Sequence, residues 1–371
     1  MSQSAQAPGG QPPDRAARRQ WPNELNILLV LIIITAIFEL LNRLNGGSFL
    51  FNMRPNVPQF FNEQRINVML LQVAITGVIA LGVTQVIIIG GIDLSSGSIV
   101  GATAMITMSF AQTAIVNGNP NPKALFGPEL MDLPVIVPIL VGLACGLAAG
   151  LINGLLIAYT RIPPFIATLG MMVSARGVAH WYSNGDPISF PTGAYAAVSN
   201  GDLLGLVTFG LIHWAGQNPV VIFIVLAILF QVALTYTVYG KRSYAIGSNE
   251  PAARMSGIKV SRHKVLVYTI AGICSAVAAI LLTSKNLTAQ AGMGSMYELD
   301  AIAMAVIGGV SLSGGRGSII GTVLGAMIFS VIISGFTSIR LDPYYQEMVK
   351  GAIIVGAVIL DQWRQRRGTR S

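Results

Sequence analysis

Apolar runs of about 20 residues recur along nearly the whole chain, and they restrict the possible folds more than any other feature. A helix of that length is what a chain needs to cross a hydrocarbon core ~30 Å thick. Only 10% of the 371 residues are charged and 53% are hydrophobic, whereas soluble globular domains carry about 25% charged residues. The sequence therefore predicts an all-α integral membrane protein.

The apolar runs predict about ten transmembrane helices. The first run has no small-residue cleavage site close behind it, so we interpret it as a membrane helix and not as a signal peptide. Arg176 and His180 interrupt the fifth span, and the eighth span is short. The predicted spans are residues 25–44, 66–89, 96–116, 133–158, 165–182, 220–239, 263–284, 298–312, 317–336 and 346–362.

The distribution of charge predicts the topology. Residues 1–20 are rich in Pro, Gly, Gln and Ser and are predicted to be a disordered cytoplasmic tail. A transmembrane domain over residues 21–363 follows, and residues 364–371 form a basic cytoplasmic tail. Placing both termini in the cytoplasm assigns most of the 23 Lys and Arg residues to that side, as cytoplasmic loops require. The net charge of +8 then indicates anionic lipid as a neighbour and not nucleic acid.

Two stretches of the chain resemble each other. The sequence "IGGIDLSSGSIVGATAMI" at 89–106 is echoed by "IGGVSLSGGRGSIIGTVLGAMI" at 307–328. Both read as an apolar helix, two glycines, a short polar segment and a second apolar helix. The echo predicts two related halves. In transporters, such paired glycine-interrupted segments mark the places where helices break and substrate passes.

Asp93 lies inside the first of these stretches and has two possible roles. With Ser95 or Ser96 it could cap the helix that begins near Gly97, since a carboxylate accepts hydrogen bonds from the unpaired N–H groups at a helix start. Alternatively it could face a watery cavity and bind the hydroxyl groups of a polar solute, because carboxylates inside a membrane are costly and tend to mark pathways.

Other polar and aromatic residues within the spans are candidates for the same pathway. Gln72 and Thr76 are four residues apart and share a helix face. Asn153 lies on a strip formed by Gly142, Gly146, Gly150 and Gly154, a spacing that also favours close helix packing. Phe165, after two prolines, could offer its ring to a sugar. For each of these residues, packing between helices is the alternative. The three histidines are far apart, and no metal site is predicted.

The segment of about 240–262 between the sixth and seventh spans contains a short predicted helix. Asn249 is a suitable N-cap, Glu250 and Pro251 suit the first turn, and Gly257 suits the end. A helix of about seven residues is not stable alone in water, so we expect it to dock on something. Ala252 and Ala253 are small enough to enter a socket in a partner. The alternative is a solvated basic loop.

Three motifs in this order make the resemblance specific. "GGIDLSSGS", "AIGSNEPAARMSGI" and "GGVSLSGGRGSIIG" resemble the permease subunit of ATP-binding-cassette sugar importers of the ribose, xylose, galactose and inositol type, over roughly residues 60–362. Within that resemblance, Asn249, Glu250, Ala252, Ala253 and Gly257 correspond to the coupling loop that contacts the ATPase. Pro251 interrupts the usual adjacency of the glutamate and the alanines.

The resemblance implies a ten-helix permease of the bacterial inner membrane that imports a monosaccharide or a cyclic polyol by alternating access. It implies a homodimer, or a heterodimer with a related permease, together with an ATP-binding subunit and a periplasmic sugar-binding protein. No "GxxxxGK[ST]" phosphate loop occurs in the chain, so ATP is expected to be used by the partner subunit and no cofactor is expected on this chain.

One alternative class remains open. An ion-coupled secondary transporter of a polar solute would also be polytopic and rich in glycine, and Asp93 is the candidate for its ionisable residue. An enzyme is not expected, because the sequence lacks the "HExxH" motif and a Gly-x-Gly-Asp signature would require glycine at Ile92.

Overall fold

The computed structural model describes residues 23–51, 61–202 and 218–368. The predicted tail at 1–20 and the last three residues of the predicted basic tail lie outside them. The described chain is all-helical, as predicted, with thirteen α-helices. In chain order these are α1 (Asn23–Leu44), α2 (Glu63–Ile88), α3 (Ser96–Ala111), α4 (Ile136–Tyr159), α5 (Pro164–Tyr182), α6 (Gly193–Asn200), α7 (Asn218–Tyr236), α8 (Val238–Ser248), α9 (Glu250–Met255), α10 (Val260–Asn286), α11 (Tyr297–Ile307), α12 (Ile319–Ser338) and α13 (Pro343–Gly368).

Six described helices are long and apolar enough to cross a membrane, namely α1, α2, α4, α7, α10 and α12. The other four predicted spans coincide with α3, α5, α11 and α13. A short 3-10 helix (Pro128–Leu130) and two short antiparallel ladders complete the described elements. In the ladders β1 (Ile115–Val116) pairs with β2 (Asn119–Pro120), and β3 (Ile188–Ser189) pairs with β4 (Thr288–Ala289).

Helix α2 is the central element of the fold. Every residue from Val73 to Ile88 is buried, so this part of the helix is covered on all sides, whereas residues 63–72 are at least partly exposed. It packs against α7, α10, α11 and α12. A helix that is apolar all round is expected in such a position, because no face of it has to meet water or lipid.

The predicted glycine strip on α4 packs against α10. A Cβ atom at Gly150 would lie 2.9 Å from Thr269 Cα and 3.1 Å from Gly272 Cα. At Gly146 it would overlap the carbonyl oxygen of Gly272. The two backbones are therefore in direct contact, which is how helices associate in lipid, where apolar side chains gain nothing by leaving the tails.

Candidate functional site

Two apolar helices are too short to cross the membrane. Helix α3 has 16 residues and α11 has 11, which at 1.5 Å per residue gives lengths of ~24 Å and ~16 Å against a core of ~30 Å. The segments before them, 89–95 and 290–296, contain no helix. The chain therefore contributes two half-helices, and the sequence predictions of full spans at 96–116 and 298–312 are wrong in this respect.

The first turns of these half-helices meet inside the bundle. A Cβ atom at Gly97, in the first turn of α3, would overlap the Glu298 carboxylate in the first turn of α11. From this junction the helices run to opposite ends. Helix α3 ends at Gln112, whose side chain donates to Ser189 O on β3, whereas α11 ends at the glycine pair that precedes residues 310–317.

Asp93 lies at the junction and makes a local cap. Its Oδ1 accepts a hydrogen bond from the backbone N–H of Ser95 at 2.8 Å and another from Ser95 Oγ at 2.6 Å. Ser95 is the N-cap residue of α3, and both residues are buried. The carboxyl group of Asp93 thus lies at the positive end of the helix dipole. This geometry corresponds to the first of the two predicted roles.

Asn153 is connected to this cap. Its Nδ2 donates to Ser95 Oγ at 2.8 Å, so α4 is tied to the start of α3. Around the same segment four buried oxygen atoms have no hydrogen-bond partner among the described residues: Ser96 Oγ, Asn153 Oδ1, Tyr268 Oη and Glu298 Oε2. Such atoms are rare in folded proteins and commonly bind water or a ligand.

Glu298 and Arg176 were not identified as site residues from the sequence. Glu298 lies in the first turn of α11, yet it is only 8% exposed. Arg176 Nη1 donates to Ala291 O at 2.7 Å and to Met293 O at 2.9 Å. The arginine thereby fixes the segment that leads into α11. The signal that could have found them is the charge itself, since charged residues within apolar spans are functional candidates.

The other predicted pathway residues lie elsewhere. Thr76 Oγ1 donates to Gln72 O at 2.6 Å within α2, so this pair is engaged in its own helix. Phe165 lies on the outer surface of α5 and is 50% exposed. The structure therefore brings Asp93 and Asn153 together through Ser95, whereas the Gln72–Thr76 contact lies within α2 and the Phe165 side chain is half-exposed. In the described residues no group of three or more His, Cys, Asp or Glu side chains could hold a metal ion.

The short helix predicted after Asn249 is present as α9. Asn249 Oδ1 accepts from the backbone N–H of Ala252 at 3.0 Å, and Gly257 ends the turn with a φ of 82°, a conformation that favours glycine. Ala252 is exposed, but Ala253 is buried against the protein itself. The expectation that both alanines face outward is therefore wrong for Ala253. The largest exposed apolar side chain of the helix is Met255, at 89%.

Glu250 anchors α9 through charge. Its carboxylate accepts from Lys264 Nζ at 2.8 Å and from Arg254 at 3.0 Å. Partial burial would raise the pKa of this carboxyl, but the two cations outweigh that effect and the pKa is lowered. Glu250 therefore stays ionised at neutral pH and links α9 to the start of α10.

Comparison with known proteins identifies the family. The family model described as branched-chain amino acid transport system / permease component matches residues 65–358. The ribose import permease protein of Bacillus subtilis (strain 168) is 42% identical over 306 residues, covering 82% of this chain and 87% of the relative. No solved structure matches the chain.

Two further relatives extend the match to most of the chain. The ribose import permease protein of Escherichia coli (strain K12) is 33% identical over 348 residues, covering 94% of this chain and 96% of the relative. The galactose/methyl galactoside import permease protein of the same organism is 37% identical over 314 residues, covering 84% and 90%. This protein belongs to the permease family of ATP-binding-cassette importers and is a multi-pass protein of the bacterial inner membrane.

Proposed function

We propose that this permease imports a monosaccharide or a cyclic polyol, of the ribose, xylose, galactose or myo-inositol class. The observation that carries the proposal is its similarity to ribose and galactose import permeases over 82% to 94% of the chain. In the proposed cycle a periplasmic binding protein delivers the sugar, and a separate ATPase subunit drives alternating access. The permease itself binds no cofactor, and ATP is used by the partner.

A membrane domain of about ten helices with two related halves, in which α3 and α11 enter the membrane as half-helices, is also part of the proposal. Its support is the way in which α2 and α11 end. Gly91 N donates to Val86 O and Val310 N donates to Ala305 O, each five residues back, at 2.9 and 3.0 Å. In the first copy the glycine with a positive φ is Gly90, the first of its pair. In the second copy it is Gly309, the second of its pair. Both helices thus end in the same way, but the second ending lies one residue later than the match between the two stretches predicts.

We further propose that both termini are cytoplasmic and that the permease works as a homodimer or as a heterodimer with a related permease. Residues 240–262 then lie on the cytoplasmic side, where α9 contacts the ATPase. The exposed surface of α9 carries Ala252, Arg254 and Met255, while Ala253 and the Glu250–Lys264 ion pair hold the helix to the bundle. A small helix fixed on one side and exposed on the other suits a docking element.

Of the predicted pathway residues, Asp93 and Asn153 lie at the junction of the half-helices, and we propose that sugar passes close to this region. The four unpartnered oxygens there accept hydrogen bonds, which suits a neutral solute that is rich in hydroxyl groups. Gln72, Thr76 and Phe165 remain candidates for the outer parts of the path.

Reconstitution tests the proposed function directly. Vesicles that contain the permease and its ATPase, with binding protein outside and ATP inside, are expected to accumulate radiolabelled ribose or galactose. Accumulation should persist in the presence of an uncoupler and should require ATP. If the permease alone concentrates sugar and an uncoupler abolishes this, the ion-coupled alternative is correct and the proposed function is wrong.

Replacing Met255 with glutamate tests the docking role of α9. We expect capture of the ATPase by the purified permease to weaken about tenfold, which corresponds to ~1.4 kcal/mol and is reasonable for one apolar side chain at an interface. Ile115 is 65% exposed on β1, away from α9, and Ile115→Glu is the matched control. Equal capture by wild type and Met255→Glu would show that this surface of α9 does not bind the ATPase.

A further inference from the structure

Helix α8 touches the end of α2, just before the first copy of the internal echo, and the second copy itself. A Cβ atom at Gly247, near the end of α8, would overlap Ile88 O at the end of α2 and would lie 2.5 Å from Gly315 N. Gly315 N itself donates to Ile88 O at 2.8 Å. Three backbone segments therefore meet at one point, and only a residue without a side chain fits there.

Two tyrosines of α8 extend this contact to either side. Tyr239 Oη donates to Gln85 Oε1 on α2 at 2.6 Å. Tyr244 Oη donates to Gly317 O, in the segment that follows α11, at 2.8 Å. Tyr239 thus holds the end of α2, just before the first copy of the echo, Tyr244 holds the second copy, and Gly247 lies where these two segments meet.

Helix α8 is also fixed to α9 and to the start of α10. Only Asn249 separates α8 from α9. Ser243 Oγ is 2.8 Å from His263 Nε2, and the ring of His263 lies 5.1 Å from the ring of Tyr239. A displacement of α9 therefore acts on α8 through one residue of backbone and through a packed side-chain cluster.

The two contacted segments lead to the half-helices. Residues 89–95 run from the end of α2 into α3, and residues 308–318 connect α11 to α12. Helix α3 and helix α11 meet at Gly97 and Glu298. A movement of α8 therefore reaches the junction along two routes, one through each half-helix. Packed helices with fixed contacts transmit such small displacements because protein interiors are close-packed.

We propose that α8 transmits the ATPase stroke to both half-helices, with Gly247 as its point of contact and Tyr239 and Tyr244 as positioning residues. This inference builds on the proposed function, because it takes α9 as the ATPase contact. It assigns to α8 a role separate from docking: α9 binds the motor, and α8 couples the two halves of the permease to it.

The test is the double variant Tyr239→Phe with Tyr244→Phe in the reconstituted complex of permease, ATPase and binding protein. Both rings remain, and only two hydroxyl groups are lost. We expect capture of the ATPase and basal ATP hydrolysis close to those of the wild type, and a modest fall in melting temperature because Gln85 Oε1 is buried and loses its donor. Sugar imported per ATP hydrolysed, measured on folded complex, is expected to fall at least tenfold. Tyr236→Phe is the control, since Tyr236 is 77% exposed.

A second variant examines the glycine contact. Gly247→Ala is expected to lower the yield of folded permease, because the added Cβ would overlap the backbone at Ile88 O, and to lose coupling when sugar import per ATP is measured on the folded complex that remains. Gly170→Ala, at a position with no atom within 4 Å of the added Cβ, should transport normally. Unchanged sugar import per ATP in the double tyrosine variant would overturn the inference. If α9 does not bind the ATPase, Met255→Glu leaves capture of the ATPase unchanged. Sugar import per ATP can still be measured in the tyrosine variants, so the two failures are distinguishable.

Discussion

Replacing Gly150 with alanine is expected to remove most of the folded permease from the membrane. The added Cβ would overlap the region of Tyr268 O and lie 2.9 Å from Thr269 Cα, both of which are backbone atoms of α10. Neither atom can move without displacing α10, which packs against α2, α3 and α4. Overpacking of a close contact costs ~1–3 kcal/mol. We expect a cost at the upper end of this range, because the added Cβ meets only backbone atoms of α10.

The direction of the change in stability distinguishes a packed glycine from an unpacked one. Alanine is favoured over glycine within a helix by ~1 kcal/mol, so a glycine that has no packing role gains stability from the same change. Gly351 on α13 has no atom within 4 Å of an added Cβ, and Gly351→Ala is the matched control. The yield of monodisperse protein and its melting temperature are the measurements. A stable Gly150→Ala variant would mean that α4 and α10 do not pack at this distance.

Local patterns in the sequence predicted much of this fold. The glycine spacing on α4 predicts a helix contact because four-residue steps return to one face of a helix. The start of α9 was predictable from Asn249 alone, since its side chain can accept from the N–H groups of the first turn. Both features are set by residues that are close together in the chain.

Long-range features were not predictable in this way. Hydropathy averages over a window and does not register that α3 and α11 begin inside the bundle. Ala253 was expected to be exposed, and its burial depends on where α9 docks. Gly247 appears as one of 41 glycines, and nothing nearby indicates that it meets Ile88 and Gly315. These contacts join residues that are far apart in sequence, and a single sequence contains no record of them.

The half-helix junction connects the fold to the proposed mechanism. Two helix starts that face each other bring two positive dipole ends together, and the side chains of Asp93 and Glu298 lie beside them. Oxygen atoms of the chain itself thus lie at both helix starts, which suits a neutral sugar that is rich in hydroxyl groups. The transport energy can then come from outside the permease.

Asp93 provides the second large expected effect, and two substitutions separate its possible roles. Asparagine keeps an oxygen that can accept from the backbone N–H and the hydroxyl of Ser95, which Asp93 Oδ1 binds at 2.8 and 2.6 Å. Alanine removes this acceptor and leaves a buried N–H group unpaired, at a cost of ~1–3 kcal/mol. We therefore expect Asp93→Asn to fold and to import sugar within about threefold of the wild type, and Asp93→Ala to lose at least about tenfold.

The comparison must include folded protein as well as transport. Sugar import per amount of folded complex is measured for both variants, with Ser95→Ala as a matched control that loses the hydroxyl contacts to Asp93 and Asn153 but keeps the backbone N–H. If Asp93→Asn folds normally yet imports nothing, the charge of the carboxylate is required. Asp93 would then act on the solute or on a coupled ion, and its role as a cap would not explain why a carboxylate is present in the membrane.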